Sequence, residues 1–156
     1  MDNSRELTCD EMSILLVEDD SNDVLLMKHA LEKNGIRSPL QVVGDGEEAL
    51  SYLQHSGSYS DRTRFPFPNV ILMDLKMPRS SGLDVLRWLK QHNQCPAVPT
   101  IVLSASRIES DVAEAYRLGA TSYFVKPGDF NELLDLVRLM HDYWSRAERP
   151  RISVDC

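Results

Sequence analysis

The stretch Val70-Ile-Leu-Met-Asp-Leu-Lys-Met-Pro78 passes from four apolar residues into a carboxylate, and then into a segment closed by proline. Four consecutive apolar residues leave no polar face. A strand of this kind has to be covered on both sides, as in a parallel sheet held between two layers of helices. Working outward, the same unit recurs. Ser13-Ile-Leu-Leu-Val17, Thr100-Ile-Val-Leu103 and Ser122-Tyr-Phe-Val125 read as strands, and the weaker Gln41-Val-Val43 completes five.

Helical periods lie between them. Phe130, Leu133, Leu134, Val137, Met140, His141 and Trp144 recur at steps of three and four, a single apolar stripe. Asp129 or Asn131 suits its N-cap. The segment from Asp23 to Lys33 places Val24, Met27 and Leu31 on one face and stops at Asn34-Gly35, a helix-ending pair. Gly46–Gln54 follows Asp45, Gly82–Lys90 carries Leu83, Leu86 and Leu89, and Glu109–Leu118 runs into Gly119. The order βαβαβαβαβα predicts an α/β, doubly wound, five-stranded parallel sheet with helices on both faces and right-handed crossovers. Residues 12–145 form that domain, with polar tails at 1–11 and 146–156.

One connection is too long for its neighbours. From His55 to Asn69 there is no strand or helix period, and loops of this length inside a domain are usually functional or mobile. Phe65-Pro-Phe-Pro68 should run extended, because proline biases the residue before it away from helix.

Composition narrows the function. The 156 residues carry 17 Lys+Arg and 24 Asp+Glu, a net charge of −7, and the pI is ≈ 5.0. That balance argues against a nucleic-acid binder that relies on a basic surface. Unbroken apolar runs reach only about four residues, far short of a membrane span. Met1–Asp10 has three acidic residues and no apolar core, unlike a secretory signal. Cys9, Cys95 and Cys156 form no C-x-x-C pair, so reduced thiols in a cytoplasmic protein are expected.

Ligands of open parallel sheets bind beyond the carboxyl ends of the strands, where strand order reverses. In this sequence those ends carry Glu18, Asp19 and Asp20; Gly44 and Asp45; Asp74; Ser104; and Lys126-Pro127. If the strand order is 2-1-3-4-5, the ends of the first, third, fourth and fifth strands converge. Converging carboxylates repel unless a cation joins them. Oxygen donors without His or Cys suit Mg²⁺. Glu18, Asp19 and Asp74 at −3, Mg²⁺ at +2 and Lys126 at +1 sum to zero, a balance that a partly buried site tolerates. Such a site can accept a phosphoryl group on a carboxylate, with metal and ammonium neutralising the transferring oxygens. Each element also has a plainer reading. Asp20 and Asp23 read as helix-start charges, Asp74 as a turn residue and Ser104 as a cap. The agreement of four strand ends is what favours chemistry.

Ile14-Leu-Leu-Val-Glu-Asp-Asp20, Ile71-Leu-Met-Asp-Leu-Lys-Met-Pro78 with Ser81-Gly82-Leu83, Ile101-Val-Leu-Ser-Ala105 and Ala120-Thr-Ser-Tyr-Phe-Val-Lys-Pro127 resemble the receiver domain of bacterial two-component response regulators. The resemblance spans roughly Met12 to Trp144. The long 55–69 connection and the short C-terminal tail are similar to the stand-alone regulators of phytochrome kinases. The resemblance implies a flavodoxin-like sheet of order 2-1-3-4-5 and a non-enzymatic phosphorelay protein. Asp74 would accept a phosphoryl group from a sensor histidine kinase, of phytochrome type in that subfamily. Glu18, Asp19, Asp74 and the backbone carbonyl of Lys76 would hold Mg²⁺, with Asp19 the more direct ligand of the acidic pair. Lys126 and Ser104 would bind the phosphoryl oxygens. Tyr123 would turn inward as Ser104 moves, and Pro127 would follow a cis peptide bond. Output would pass through protein contacts on the fourth helix, fifth strand and fifth helix, with Tyr116, Arg117, Tyr123, His141, Tyr143 and Trp144 as contributors and a homodimer as one outcome. On that face Met140 reads as core.

Three other readings compete. A haloacid-dehalogenase-type phosphatase, which would form an aspartyl phosphate with Mg²⁺, needs a second acid two residues after the nucleophile; here that position is Lys76. A flavodoxin-type carrier needs a hydroxyl- and glycine-rich loop where this chain is acidic. A phosphorylation-independent interaction module would not need the set Glu18, Asp19, Asp74, Ser104 and Lys126. Only about a dozen residues follow the last predicted helix, too few for a helix-turn-helix, so a DNA-binding output is not expected.

Overall fold

A computed structural model describes residues 12–77, 81–92 and 98–148. All three cysteines, the tail 1–11 and the end of the tail beyond 148 lie outside the described residues. Five strands, β1 (Ile14–Val17), β2 (Leu40–Val43), β3 (Val70–Met73), β4 (Thr100–Ser104) and β5 (Ser122–Val125), alternate with α1 (Ser21–Lys33), α2 (Gly46–Leu53), α3 (Gly82–Gln91), α4 (Glu109–Arg117) and α5 (Phe130–Arg146). The sheet is parallel throughout and its order is β2-β1-β3-β4-β5. Chain order therefore reverses at β1, between β2 and β3.

Side chains on a strand alternate between faces, and here each face meets its own helical layer. Leu15, Val17, Ile71, Met73 and Val102 pack with Ala49, Tyr52, Val85, Leu86 and Ala115 of α2, α3 and α4. Ile14, Leu16, Val70, Leu72, Ile101 and Leu103 pack with Met27, Ala30 and Leu31 of α1 and Val137 and Met140 of α5. β1, β3 and β4 are buried along their whole length, whereas the edge strands β2 and β5 are largely half-buried. Each leucine or valine buried this way contributes about 1.5–3 kcal/mol. The unbroken apolar runs of the inner strands have this two-sided burial as their cause.

Caps set where the helices begin. Asp20 accepts the N–H groups of Asn22 and Asp23, Asp45 that of Glu48, and Asp129 that of Glu132. At the end of α1, Gly35 at φ +69 takes a left-handed turn. Ser104 caps no helix, since α4 begins at Glu109 with Ile108 before it.

The 55–69 connection is better organised than its sequence suggests. It holds a single 3-10 turn at Gly57–Tyr59, and Tyr52, Tyr59 and Phe65 form a cluster with ring centroids 5.0–6.1 Å apart. Arg62 donates to the carbonyls of Tyr52 and Leu53 at the end of α2 and of Phe65 in the connection, tying the two together. Tyr59 donates its hydroxyl to Glu48. Burial pushes the Tyr52 hydroxyl up to about 12 and that of Tyr59 higher still, with Glu48 adding to the latter. Aromatic packing and one guanidinium thus hold a segment that has no period of its own.

Candidate functional site

The ladder bonds run one residue past the strands and set the site. The Glu18 N–H donates to the Val43 carbonyl at 3.0 Å, and the Asp74 N–H to the Val17 carbonyl at 3.0 Å. The Lys126 N–H donates to the Ser104 carbonyl at 2.9 Å. Main-chain pairing therefore brings Glu18, Asp74, Ser104 and Lys126 to one edge of the sheet.

Behind Asp74, Gly82 opens α3 with its N–H on the Leu75 carbonyl at 3.1 Å. A Cβ there would lie 2.6 Å from the Asp74 carbonyl oxygen and 3.1 Å from Leu75 Cα. The chain passes so close to the Asp74–Leu75 backbone that only glycine fits.

Lys126 is the centre of the site. Its Nζ donates to Asp23 Oδ2 at 2.7 Å, Glu18 Oε2 at 2.8 Å and Asp74 Oδ2 at 3.1 Å. Glu18 is 6% exposed and the Asp74 side chain 10%, while Lys126 and Asp23 are more open at 23% and 37%. Burial works against the Lys126 ammonium, but the three carboxylates more than compensate and hold its proton well above the usual lysine range. Burial also raises the Glu18 carboxyl, and the Lys126 bond only partly offsets this. Asp19 is exposed, and Glu18, Asp19 and Asp74 each offer an oxygen within 4.8 Å of the others. Clustered, partly desolvated oxygens that share the Lys126 ammonium fit a divalent cation.

The remaining residues form a second chain of contacts. Ser104 is fully buried, and its Oγ accepts the Ser106 N–H at 3.3 Å. The Ser106 hydroxyl donates to Asp111 at 2.5 Å and accepts the Ile108 N–H at 3.2 Å. Tyr123 donates its hydroxyl to the Ser106 carbonyl at 2.9 Å, and its own N–H goes to the Tyr116 hydroxyl at 3.0 Å. The Lys76 N–H lies 3.2 Å from Asp74 Oδ1, with its side chain exposed.

Two expectations change. The Lys126–Pro127 bond is trans, as are all described peptide bonds. The trans form is intrinsically favoured by about 0.5–1 kcal/mol, and with it Lys126 already reaches all three carboxylates. Asp23 is more than a helix-start charge. It lies in the first turn of α1 but points to Lys126, 103 residues away. Its place one turn into the helix after the acidic pair was the available signal, and the helix-dipole explanation was sufficient to hide it. On the α4–β5–α5 side, Met140 is core, Trp144 packs against the inner cluster, and Tyr116 and Tyr143 are 49% and 63% exposed.

Such a sheet, with three carboxylates and an ammonium at its switch point, defines a receiver. The chain belongs to the response regulator receiver domain family, whose profile matches residues 14–138. It is a response regulator of the two-component class. Response regulator Rcp1 of Synechocystis sp. is 34% identical over 131 residues, covering 84% of this chain and 87% of Rcp1. Response regulator RPA3017, in red light signaling of R. palustris, superposes with a TM-score of 0.85 at 31% identity, over 90% of this chain and 99% of that one. The phosphorylated cyanobacterial phytochrome response regulator RcpA gives 0.82 at 31% identity over the same shares. The Mn(2+)-bound form of Rcp1 gives 0.80 at 33%, again over the same shares. Among the described residues no helix is long and apolar enough to cross a membrane.

Proposed function

We propose that this chain carries a phosphoryl group on Asp74, taken from a phosphohistidine of a sensor histidine kinase, and relays its presence by protein contact. The observation that carries the reading is Lys126 Nζ at 3.1 Å from Asp74 Oδ2, in a site where three carboxylates converge. An Asp74 oxygen attacks phosphorus, an O–P bond forms, the N–P bond of the phosphohistidine breaks, and its electron pair stays on the imidazole. Lys126 is placed to stabilise charge on the phosphoryl oxygens.

Glu18, Asp19, Asp74 and the Lys76 carbonyl would hold Mg²⁺, which when bound supplies charge neutralisation at the transferring oxygens. Ser104 would turn its hydroxyl to a phosphoryl oxygen and release the Ser106 N–H. That movement reaches Tyr123, whose hydroxyl is bonded to the Ser106 carbonyl, and through it the α4–β5–α5 face. The likeness to the phytochrome response regulator RcpA supports a phytochrome-type kinase, we read the chain as cytoplasmic, and the acidic charge supports a protein target rather than DNA. We read the chain as a signalling protein, not a turnover enzyme.

Intact mass after incubation with acetyl phosphate and Mg²⁺ tests the reading. One phosphoryl group is expected on the wild type, lost on chelation and absent from Asp74→Asn. If neither acetyl phosphate nor beryllofluoride gives a Mg²⁺-dependent change, the chain is a phosphorylation-independent interaction module.

A further inference from the structure

Asp23 has no part in the phosphoryl chemistry above, yet it makes the shortest of the three bonds to Lys126. An ammonium has three donors, and three carboxylates take them. In the reading proposed above, Asp74 would carry the phosphoryl group and Glu18 would hold the metal. Asp23 belongs to neither task and stands on α1 instead of at a strand end. Lys126 borders a cavity of about 140 Å³ whose walls carry Glu18, Asp23 and Asp74 beside the apolar Leu16, Met27 and Phe130. An ammonium does not turn to an apolar wall unpaired, so its resting place is decided by its charged partners.

We propose that Asp23 is a positioning residue for Lys126: it holds the ammonium on the α1 side and adds a negative charge that favours the divalent cation over the phosphoryl group. This rests on the phosphoryl reading of the site. Glu18, Asp19 and Asp74 cancel against a divalent cation and Lys126, so Asp23 leaves one negative charge over. That charge draws a cation in. It opposes a phosphoryl group, which brings roughly one further negative charge and must compete with Asp23 for a lysine donor. The two effects have opposite signs, and a loss of local structure would weaken both kinds of binding together.

The test uses the full chain with Asp23→Asn and, separately, Asp23→Ser, both polar and compatible with a helix start. Mg²⁺ affinity is read by calorimetry, and beryllofluoride affinity at saturating Mg²⁺ by fluorine NMR. Both variants are expected to bind Mg²⁺ about three- to tenfold more weakly and beryllofluoride about three- to tenfold more tightly, the scale of one partly solvated charge. Wild-type values for both ligands, or both affinities moving the same way, would overturn the role of Asp23. A wild type that binds no beryllofluoride would instead overturn the phosphoryl reading, and with it this proposal.

Discussion

A methyl group placed on Gly82 would stand 2.6 Å from the backbone oxygen of Asp74. The obstacle is backbone on both sides, since Leu75 Cα is only 3.1 Å away, and it cannot rotate aside as a flexible side chain would. Gly82→Ala should therefore cost about 1–3 kcal/mol, as overpacking does, and should displace Asp74. Urea denaturation measures the first effect. The rate of phosphoryl uptake from acetyl phosphate, expected to fall, measures the second. A stable variant with wild-type uptake would show that the loop yields without moving Asp74.

Glu18 gives a dependence on pH. Burial raises its folded-state pKa above the usual 4.5. The folded protein then holds this proton more tightly than the unfolded chain does. Stability from this group is complete below the unfolded pKa and is lost as pH rises through the folded one. In chelator, Glu18→Gln should gain stability relative to wild type as pH rises above the ordinary carboxylate value and the raised Glu18 carboxyl is forced to ionise. Millimolar Mg²⁺ should reverse the wild-type loss, because a ligand bound only by the folded state stabilises it. Denaturation curves at several pH values, with and without Mg²⁺, check both. A constant difference between the two proteins as pH rises would refute the argument.

Arg62 should hold the 55–69 connection in place. Its guanidinium satisfies three carbonyls and lies 5.4 Å from the Phe67 ring centroid. Arg62→Ala is expected to cost about 2–3 kcal/mol, the range for loss of charge-assisted bonds to half-buried carbonyls. Arg62→Lys should restore little of it, because an ammonium cannot span the same fork. Faster hydrogen exchange confined to residues 55–69 would locate the effect. Exchange unchanged there would mean that the aromatic cluster alone suffices.

The α4–β5–α5 face should change its association with phosphorylation state. Tyr116 and Tyr143 are 49% and 63% exposed, and Tyr116 bonds the edge strand at Tyr123. Sedimentation velocity with Mg²⁺ and beryllofluoride is expected to show a dimer that is absent without them, and Tyr143→Ala should weaken it. No shift on adding beryllofluoride would exclude a phosphorylation-dependent homodimer and leave a different protein as the partner of this face.

The 55–69 connection and Asp23 mark where reading from the residues stops. The five strands and five helices were legible to within a residue or two, because unbroken apolar runs and three-to-four spacing are local patterns that burial imposes directly. Caps such as Asp45 and Asp129 were legible for the same reason: a cap bonds to its own neighbours. Nothing local marks Tyr52, Tyr59 and Phe65 as one cluster, or Arg62 as the group that closes the end of α2. Those contacts cross loops, and each residue type would serve equally well in isolation at a surface.

What the amino-acid sequence determined by itself was the alternation of elements and the acids, hydroxyl and amine at the ends of the strands, since strand polarity carries those residues to one edge once the sheet is parallel. Tertiary structure alone decided how the charges are shared. Lys126 divides its three donors among Glu18, Asp23 and Asp74, and one of those partners comes from a helix. The trans bond at Pro127 and the close passage of Gly82 behind Asp74 belong to the same level. Coulomb and steric terms depend on distances through space, and segments as far apart as α1 and the end of β5 acquire those distances only when both pack on the same sheet.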